Sequence, residues 1–210
     1  MEQDGATATA GTDRAHRGNR HGRSEQARTA VLEAADDLLV AKGFAGVTIE
    51  AIAASAGVAK QTIYRWWTSK TDILLDAFLQ DAAEELTPPD HGDLGRDLRA
   101  HLRQLAHFLT RSDGGAVLRA LLGQAQHDPA FATVLRARYL TEQRLRDMLP
   151  LERAMRRGDL PADLDAAAEV DQLVGSIFHR VLVTGDPVDD AFVDRLVDGF
   201  LIRARSAPPS

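Results

Sequence analysis

The chain contains no cysteine, which excludes disulfide bonds, thiolate zinc sites and thiol redox switches. Aromatic residues make up only 5% of its 210 positions, and no stretch alternates β-branched with polar residues as a half-buried strand would. No apolar run approaches the length needed to cross a bilayer, and the polar first residues lack the apolar core of a secretion signal. The expectation is a cytoplasmic protein with no membrane partner. Signatures of catalysis are missing as well: there is no Gly-rich phosphate loop, nucleophile elbow, H-E-x-x-H or carboxylate cluster. The seven histidines are scattered. His16 and His21 fall in a loose N-terminal stretch, and His101 and His107 point to different sides of one helix, which is poor spacing for a metal. Neither an enzyme nor a metal or cofactor site is expected.

Long runs rich in Ala, Leu, Arg and Glu are present instead, and they predict an all-α chain. A hydrophobic content of 44% is enough for one small and one medium core. Residues 1–23, rich in Gly, Ala, Thr, Arg and His, carry no apolar stripe and read as a disordered or mobile arm. Residues 24–70 form the small domain, residues 71–205 the larger one, and residues 206–210 a tail. The net charge of −6 is unevenly divided: residues 1–13 carry −3, residues 14–70 carry +4 and residues 71–210 carry −7. Positive charge therefore accompanies the small domain, as a nucleic-acid reader requires, although a solvated basic surface without function would look similar.

The stretch Thr48–Lys70 reads T-I-E-A-I-A-A-S-A-G-V-A-K-Q-T-I-Y-R-W-W-T-S-K. Thr48 can cap a short helix whose Ile49, Ile52 and Ala53 make one buried stripe. Gly57 can take the positive φ that closes it, with Val58 packing between two helices. A second helix then runs from Ala59 to Trp67, burying Ile63 with Trp66 or Trp67 and presenting Lys60, Gln61, Thr62, Tyr64 and Arg65 outward. Such a polar, basic and aromatic face suits the major groove. Lys donates to guanine, Gln pairs with adenine, and the Thr methyl meets that of thymine. Those three residues lie at the helix N-terminus, where a helix-turn-helix reader meets base edges, leaving Tyr64, Arg65 and Lys70 to position the backbone. Ser69 can cap the next helix with Asp72 at its third position. A helical hairpin with a merely polar surface is the plainer alternative.

Gly43, Phe44, Thr48, Ala56, Gly57, Val58, Tyr64, Ser69 and Lys70 occur in the order and spacing of a known signature, and the stretch resembles the TetR family of bacterial repressors. That resemblance implies base reading by Lys60, Gln61 and Thr62 and phosphate contact by Thr48, Tyr64 and Lys70. It also implies a dimer. The chain departs from the pattern at Ala59, which replaces the usual capping hydroxyl, at Gln61, and at the Trp66-Trp67 pair, so the operator sequence does not follow from the resemblance.

A first helix from Ser24, with Val31, Ala34, Ala35, Leu38 and Leu39 on its core face, should end at Lys42-Gly43. Arg14, Arg17, Arg20 and Arg23 ahead of it either enter a minor groove or belong to a solvated tail. After Ser69 a long helix runs until Pro88-Pro89 stops it, linking the domains so that a ligand moving it would change the spacing of two readers. Further helices are expected near 94–111, 113–126, 129–157, 165–184 and 187–205. Asp128-Pro129 and Asp186-Pro187 each place a cap before a proline, and Pro150 should kink or break its helix.

Two sites are expected in the larger domain. The first is a container for a small apolar or amphipathic effector, from His101, Leu105 and Phe108 on one helix and Arg138 and Glu142, which interrupt the apolar face of another. Arg138 and Glu142 either fix that ligand or pair with each other at i, i+4. His101 is otherwise an ordinary buried histidine. The second is a homodimer interface from Val170, Leu173, Val174, Ile177 and Val181 on one helix and Phe192, Leu196, Val197 and Phe200 on the next, closing a four-helix bundle with a second chain, unless these stripes are buried within one chain. The functional expectation is a dimeric repressor that binds a palindromic double-stranded DNA operator and is released by ligand. The alternative is a helical protein-interaction module that no longer reads DNA.

Overall fold

The computed structural model describes residues 13–206, and among them every regular element is helical. Two compact units divide at Ile73 and Leu74.

The first unit opens with α1 (Asp13–Gly46), in which Gly43 leaves the helical region at φ 67, ψ 172. Glycine alone takes that conformation without strain, so the expected end at Lys42-Gly43 survives as a break. The expected start at Ser24 differs: among the described residues helix is already present at Asp13, so residues 13–23 belong to α1. An apolar stripe is needed to bury a helix but not to extend one, because elongation adds one hydrogen bond per residue ordered and this stretch contains no proline. Residues 1–12, and the side chains of Arg14, Arg17, Arg20 and Arg23, lie outside the described set, as do residues 207–210.

Next come α2 (Ile49–Ala56), α3 (Lys60–Ile63) and α4 (Lys70–Glu85). Val31, Leu32, Ala35, Leu39, Val47, Ile52, Ile63, Trp67 and Ile73 form the core of this unit. It is Trp67, not Trp66, that fills the interior, at 3% exposure.

The second unit continues from Leu74 along α4 into α5 (Leu94–Arg111), α6 (Asp113–Ala125), α7 (Pro129–Leu135), α8 (Thr141–Arg157), α9 (Ala166–His179) and α10 (Asp190–Ser206). Leu98, Leu102, Leu105 and Leu109 of α5 are all buried, and Arg99 and Arg103 on its other side reach Asp194 of α10 at 3.2 and 2.7 Å. Asp128 caps α7 through the Phe131 N–H at 3.0 Å with Pro129 in the first turn. The matching expectation at Asp186-Pro187 fails. There Asp189 is the cap, accepting from the Phe192 N–H at 2.8 Å, while the Pro187 carbonyl accepts from Arg180 at 2.6 Å. Pro150 is buried inside α8, which runs through it without interruption.

Between α7 and α8 the chain makes one π-helical turn, Arg136–Leu140, and a second, Arg180–Thr184, extends α9. In the first, the Thr141 N–H and hydroxyl both donate to the Arg136 carbonyl, five residues back. A π turn inserts one residue and so rotates everything after it relative to an ideal α-helix. Its consequence for the larger unit is a shift of the buried face by one position. An unbroken α-helix would align Val134, Arg138, Glu142, Leu145 and Leu149, whereas the buried row is Leu135, Tyr139, Gln143, Asp147 and Leu151.

Candidate functional site

Local chemistry builds the helix pair in the first unit. The Thr48 hydroxyl accepts from the Ala51 N–H at 3.1 Å, which fixes the start of α2 and leaves the hydroxyl's own hydrogen to donate outward. Gly57 stands at φ 66, ψ 30, and its N–H and that of Val58 both return to the Ala53 carbonyl, closing α2 as a left-handed cap. Ala59 precedes α3 without a side-chain cap. The second helix is shorter than its sequence implied: regular helix covers Lys60–Ile63, and hydrogen-bonded turns carry the chain to Trp67, whose N–H reaches the Ile63 carbonyl at 3.1 Å.

Ile63 is fully buried, while Lys60, Gln61, Tyr64 and Arg65 are exposed and Thr62 is half-buried. One short element thus presents two cations, an amide and a phenol on a single pinned anchor. Arg65 lies 5.7 Å from the Trp66 ring centroid, so the partly exposed indole backs its guanidinium. Lys60 is held by Glu50 of α2, Nζ to Oε1 at 3.0 Å. The hydrogen bond and charge of the partner push Lys60 upward and Glu50 downward from their ordinary values. No residue pattern in the sequence singles out Glu50.

Lys70 occupies a different position from the exposed set. Its ammonium donates to the carbonyls of Phe44 at 2.7 Å and Val47 at 2.9 Å, and lies 4.2 Å from the Phe44 ring centroid. Two of its three N–H groups therefore tie the loop before α2 to the start of α4. That start is a reciprocal cap: the Asp72 N–H donates to Ser69 Oγ at 3.1 Å, and Asp72 Oδ2 accepts from the Ser69 N–H at 3.0 Å.

In the second unit a cavity of 370 Å³ is lined by apolar side chains that include Leu86, Leu105, Leu118, Val174 and Phe178, with Tyr139, Gln143, Asp147 and the Arg144–Asp171 ion pair as polar members of the wall. His101 stands behind it, 1% exposed, with Nε2 2.9 Å from Asp147 Oδ1. Of the residues expected to form the container, Leu105 lines this cavity and His101 reaches it only through Asp147. Phe108 is buried elsewhere, beside Phe78. Arg138 and Glu142 are exposed and outside it, and Arg138 pairs with Asp76 at 2.8 Å. The one-residue shift at the π turn is the reason, since it replaces Arg138 and Glu142 on the inner face by Tyr139 and Gln143.

The expected interface stripes are also redistributed. Val170, Leu173, Ile177, Val197 and Phe200 are buried within the chain itself, and Val174, Val181, Phe192 and Leu196 are half-buried. Exposed apolar side chains at this end are Leu182, Val183 at 71% and Ile202 at 67%.

The capped α2, the left-handed glycine turn and the short outward-facing α3 define a helix-turn-helix DNA-binding regulator. Residues 31–77 match the family described as bacterial regulatory proteins, tetR family, and residues 88–200 match the tetracyclin repressor-like, C-terminal domain. The chain belongs to the TetR family of bacterial transcriptional regulators. It is 41% identical over 175 residues to the HTH-type transcriptional regulator YdeS of Bacillus subtilis, covering 83% of this chain and 88% of that protein. It is 34% identical over 187 residues to the DNA-binding transcriptional repressor TetR of Mycobacteroides abscessus, covering 86% of this chain and 94% of that protein. Among solved structures, the TetR family transcription regulator SCO0332 superposes with a TM-score of 0.72 at 39% identity, covering 88% of this chain and 100% of that one.

Glu50 gives the interface a testable feature. An acid 3.0 Å from the Lys60 ammonium repels phosphates and competes with them for that cation, so Glu50→Gln should raise affinity for random-sequence DNA several-fold and narrow the gap to a specific site. Fluorescence anisotropy with both DNAs at one salt concentration measures this. An unchanged ratio would remove Glu50 from the reading surface.

Proposed function

We propose that this chain is a dimeric repressor that binds a palindromic operator and releases it when a small, largely apolar ligand occupies the second unit. The observation that carries the reading is the outward set Lys60, Gln61, Tyr64 and Arg65 around the fully buried Ile63. Lys60, Gln61 and Thr62 meet base edges from the N-terminal end of α3; Thr48, Tyr64 and Arg65 donate to phosphates. Lys70 acts on phosphates with its remaining N–H and on the fold with the other two. A repressor rather than an activator is supported by the name of the Mycobacteroides abscessus relative. No catalytic step is assigned to it, and it works in the cytoplasm, where its DNA is; no helix among the described residues is long and apolar enough to cross a membrane.

The cavity beside Leu86 is the effector site. Leu86 directly follows α4, and the first residue of α4 is Lys70, so occupancy can be transmitted along one helix to the loop before α2. A ligand shifts this equilibrium only by its differential affinity for the two states. Gel shifts on fragments of the source genome, repeated across salt concentrations, test the reading. Capture of a discrete fragment with a steep salt dependence is expected, and equal, shallow retention of all fragments would refute it.

Dimerisation is assigned to the exposed Leu182, Val183 and Ile202 with the half-buried Val181, Phe192 and Leu196, in place of the side chains already buried within the chain. A charge there must be desolvated on association. Val183→Glu should therefore shift sedimentation from dimer to monomer and weaken operator capture by more than tenfold, because one reader loses the contribution of its twin. A mutant that still sediments as a dimer would move the interface elsewhere.

A further inference from the structure

The wall of the cavity carries a polar row, Tyr139, Gln143 and Asp147, of which Tyr139 makes no hydrogen bond through its hydroxyl. Tyr139 is 2% exposed. Its ring is fixed edge-on against Phe78, centroids 4.5 Å apart, so it cannot swing out to water without losing that packing. Burial and the negative charge of Asp147 push the phenol upward, which keeps it a neutral O–H and hence a donor lacking an acceptor. Leaving such a group unpaired in an apolar setting is unfavourable, and native proteins rarely do so without a function for it.

Asp147, two turns further along the same row, is arranged for the opposite task. His101 Nε2 at 2.9 Å and the Gln143 amide at 2.8 Å both meet its Oδ1, leaving Oδ2 to accept. Gln143 is held in turn by Arg146, whose Nε and guanidinium amine donate to its Oε1 at 3.0 and 2.8 Å. The carboxylate is thus pinned by a buried histidine and a braced amide while lining the same 370 Å³ space as Tyr139. The wall's other charged members, Arg144 and Asp171, are committed to each other at 3.1 and 2.6 Å, and its remaining side chains are apolar.

Resting on the reading of this cavity as the effector site, we propose that its ligand is an apolar, drug-sized molecule bearing two hydrogen-bonding groups on one edge, an acceptor for the Tyr139 hydroxyl and a donor for Asp147. Hydroxylated aromatic ketones have this chemistry. A pure hydrocarbon would strand both wall groups, and an anionic acid would meet the Asp147 carboxylate with like charge. Sites that present buried polar groups reject ligands lacking the complement far more strongly than apolar walls reject a missing methylene. Tyr139 and Asp147 are accordingly the specificity-determining pair, with Gln143 and His101 as positioning residues.

Four probes of similar shape separate the contributions: 4-hydroxybenzophenone carries both groups, benzophenone the carbonyl acceptor alone, 4-benzylphenol the phenol without the carbonyl, and diphenylmethane neither. Calorimetric titration into the DNA-free full-length protein should rank them in that sense, with the first binding at least about tenfold tighter than the last. Tyr139→Phe should abolish the advantage of benzophenone over diphenylmethane and preserve that of 4-benzylphenol; Asp147→Asn should do the reverse. Equal affinity of all four probes for the unmodified protein, or binding of none, overturns the proposal even if Asp147→Asn does not fold. Operator release by the same probes is scored separately. Ranked binding without release would keep the site and refute its role as the effector switch, whereas release by unrelated compounds with no ranking would do the opposite.

Discussion

Replacing Lys70 with alanine is expected to destabilise the first unit by roughly 2–4 kcal/mol, because two backbone carbonyls lose a charged donor at 2.7 and 2.9 Å and the Phe44 ring loses a cation. Hydrogen bonds to a charged group contribute about 1.5–3 kcal/mol each, and two that share one ammonium do not add fully. A reader of this size has a total stability of only several kcal/mol, so the loss is a large fraction of it. Both tryptophans of the chain, Trp66 and Trp67, belong to this unit, so their fluorescence reports its unfolding separately from the rest. The urea midpoint followed by fluorescence should fall sharply while helical signal from the second unit persists. DNA affinity should drop for every sequence alike. Weaker DNA binding with an unmoved midpoint would mean that Lys70 contacts phosphate without anchoring the loop, contrary to the geometry.

The second large effect concerns selectivity. Lys60→Ala and Gln61→Ala should each reduce preference for the operator over single-base variants by roughly five- to a hundredfold, the range of a bidentate base contact, at the position each residue reads. Neither substitution should alter the fluorescence midpoint, since both side chains are exposed and Ile63, which anchors α3, is untouched. Binding to a panel of operators changed one base pair at a time resolves the two residues. A loss spread evenly over all positions would reassign Lys60 or Gln61 to the phosphates. Arg65→Ala is the internal contrast: its partner is the Trp66 ring and its place is further along the chain, so its removal should weaken all variants equally.

What the sequence revealed and what it concealed divide along physical lines. Thr48, Gly57, Ser69 and Asp72 act within a few residues of themselves, and the caps and the left-handed turn that their types imply are the ones observed. Ile63 on the inside and Lys60, Gln61, Tyr64 and Arg65 on the outside follow from the same local periodicity. Periodicity misled beyond Leu135. A π turn has no residue signature that an α-helical repeat would expose, and its extra residue moved Tyr139, Gln143 and Asp147 inward while leaving Arg138 and Glu142 outside. The apolar stripes of α9 and α10 posed a different problem. A hydrophobic face declares that it is covered but not by what, and Val170, Ile177, Val197 and Phe200 are covered by their own chain. Asp186-Pro187 had the composition of a helix start, yet Arg180 claims the Pro187 carbonyl and the start moves to Asp190.

The claim on which the rest depends is that two copies of α3, related by a twofold axis, enter successive major grooves of one operator. Hydroxyl-radical footprinting of the full-length protein on its captured fragment tests it most directly. Two symmetric protected half-sites with centres about 34–36 Å apart along the duplex are expected. Protection lacking a dyad, or a single continuous patch that ignores sequence, would contradict the account.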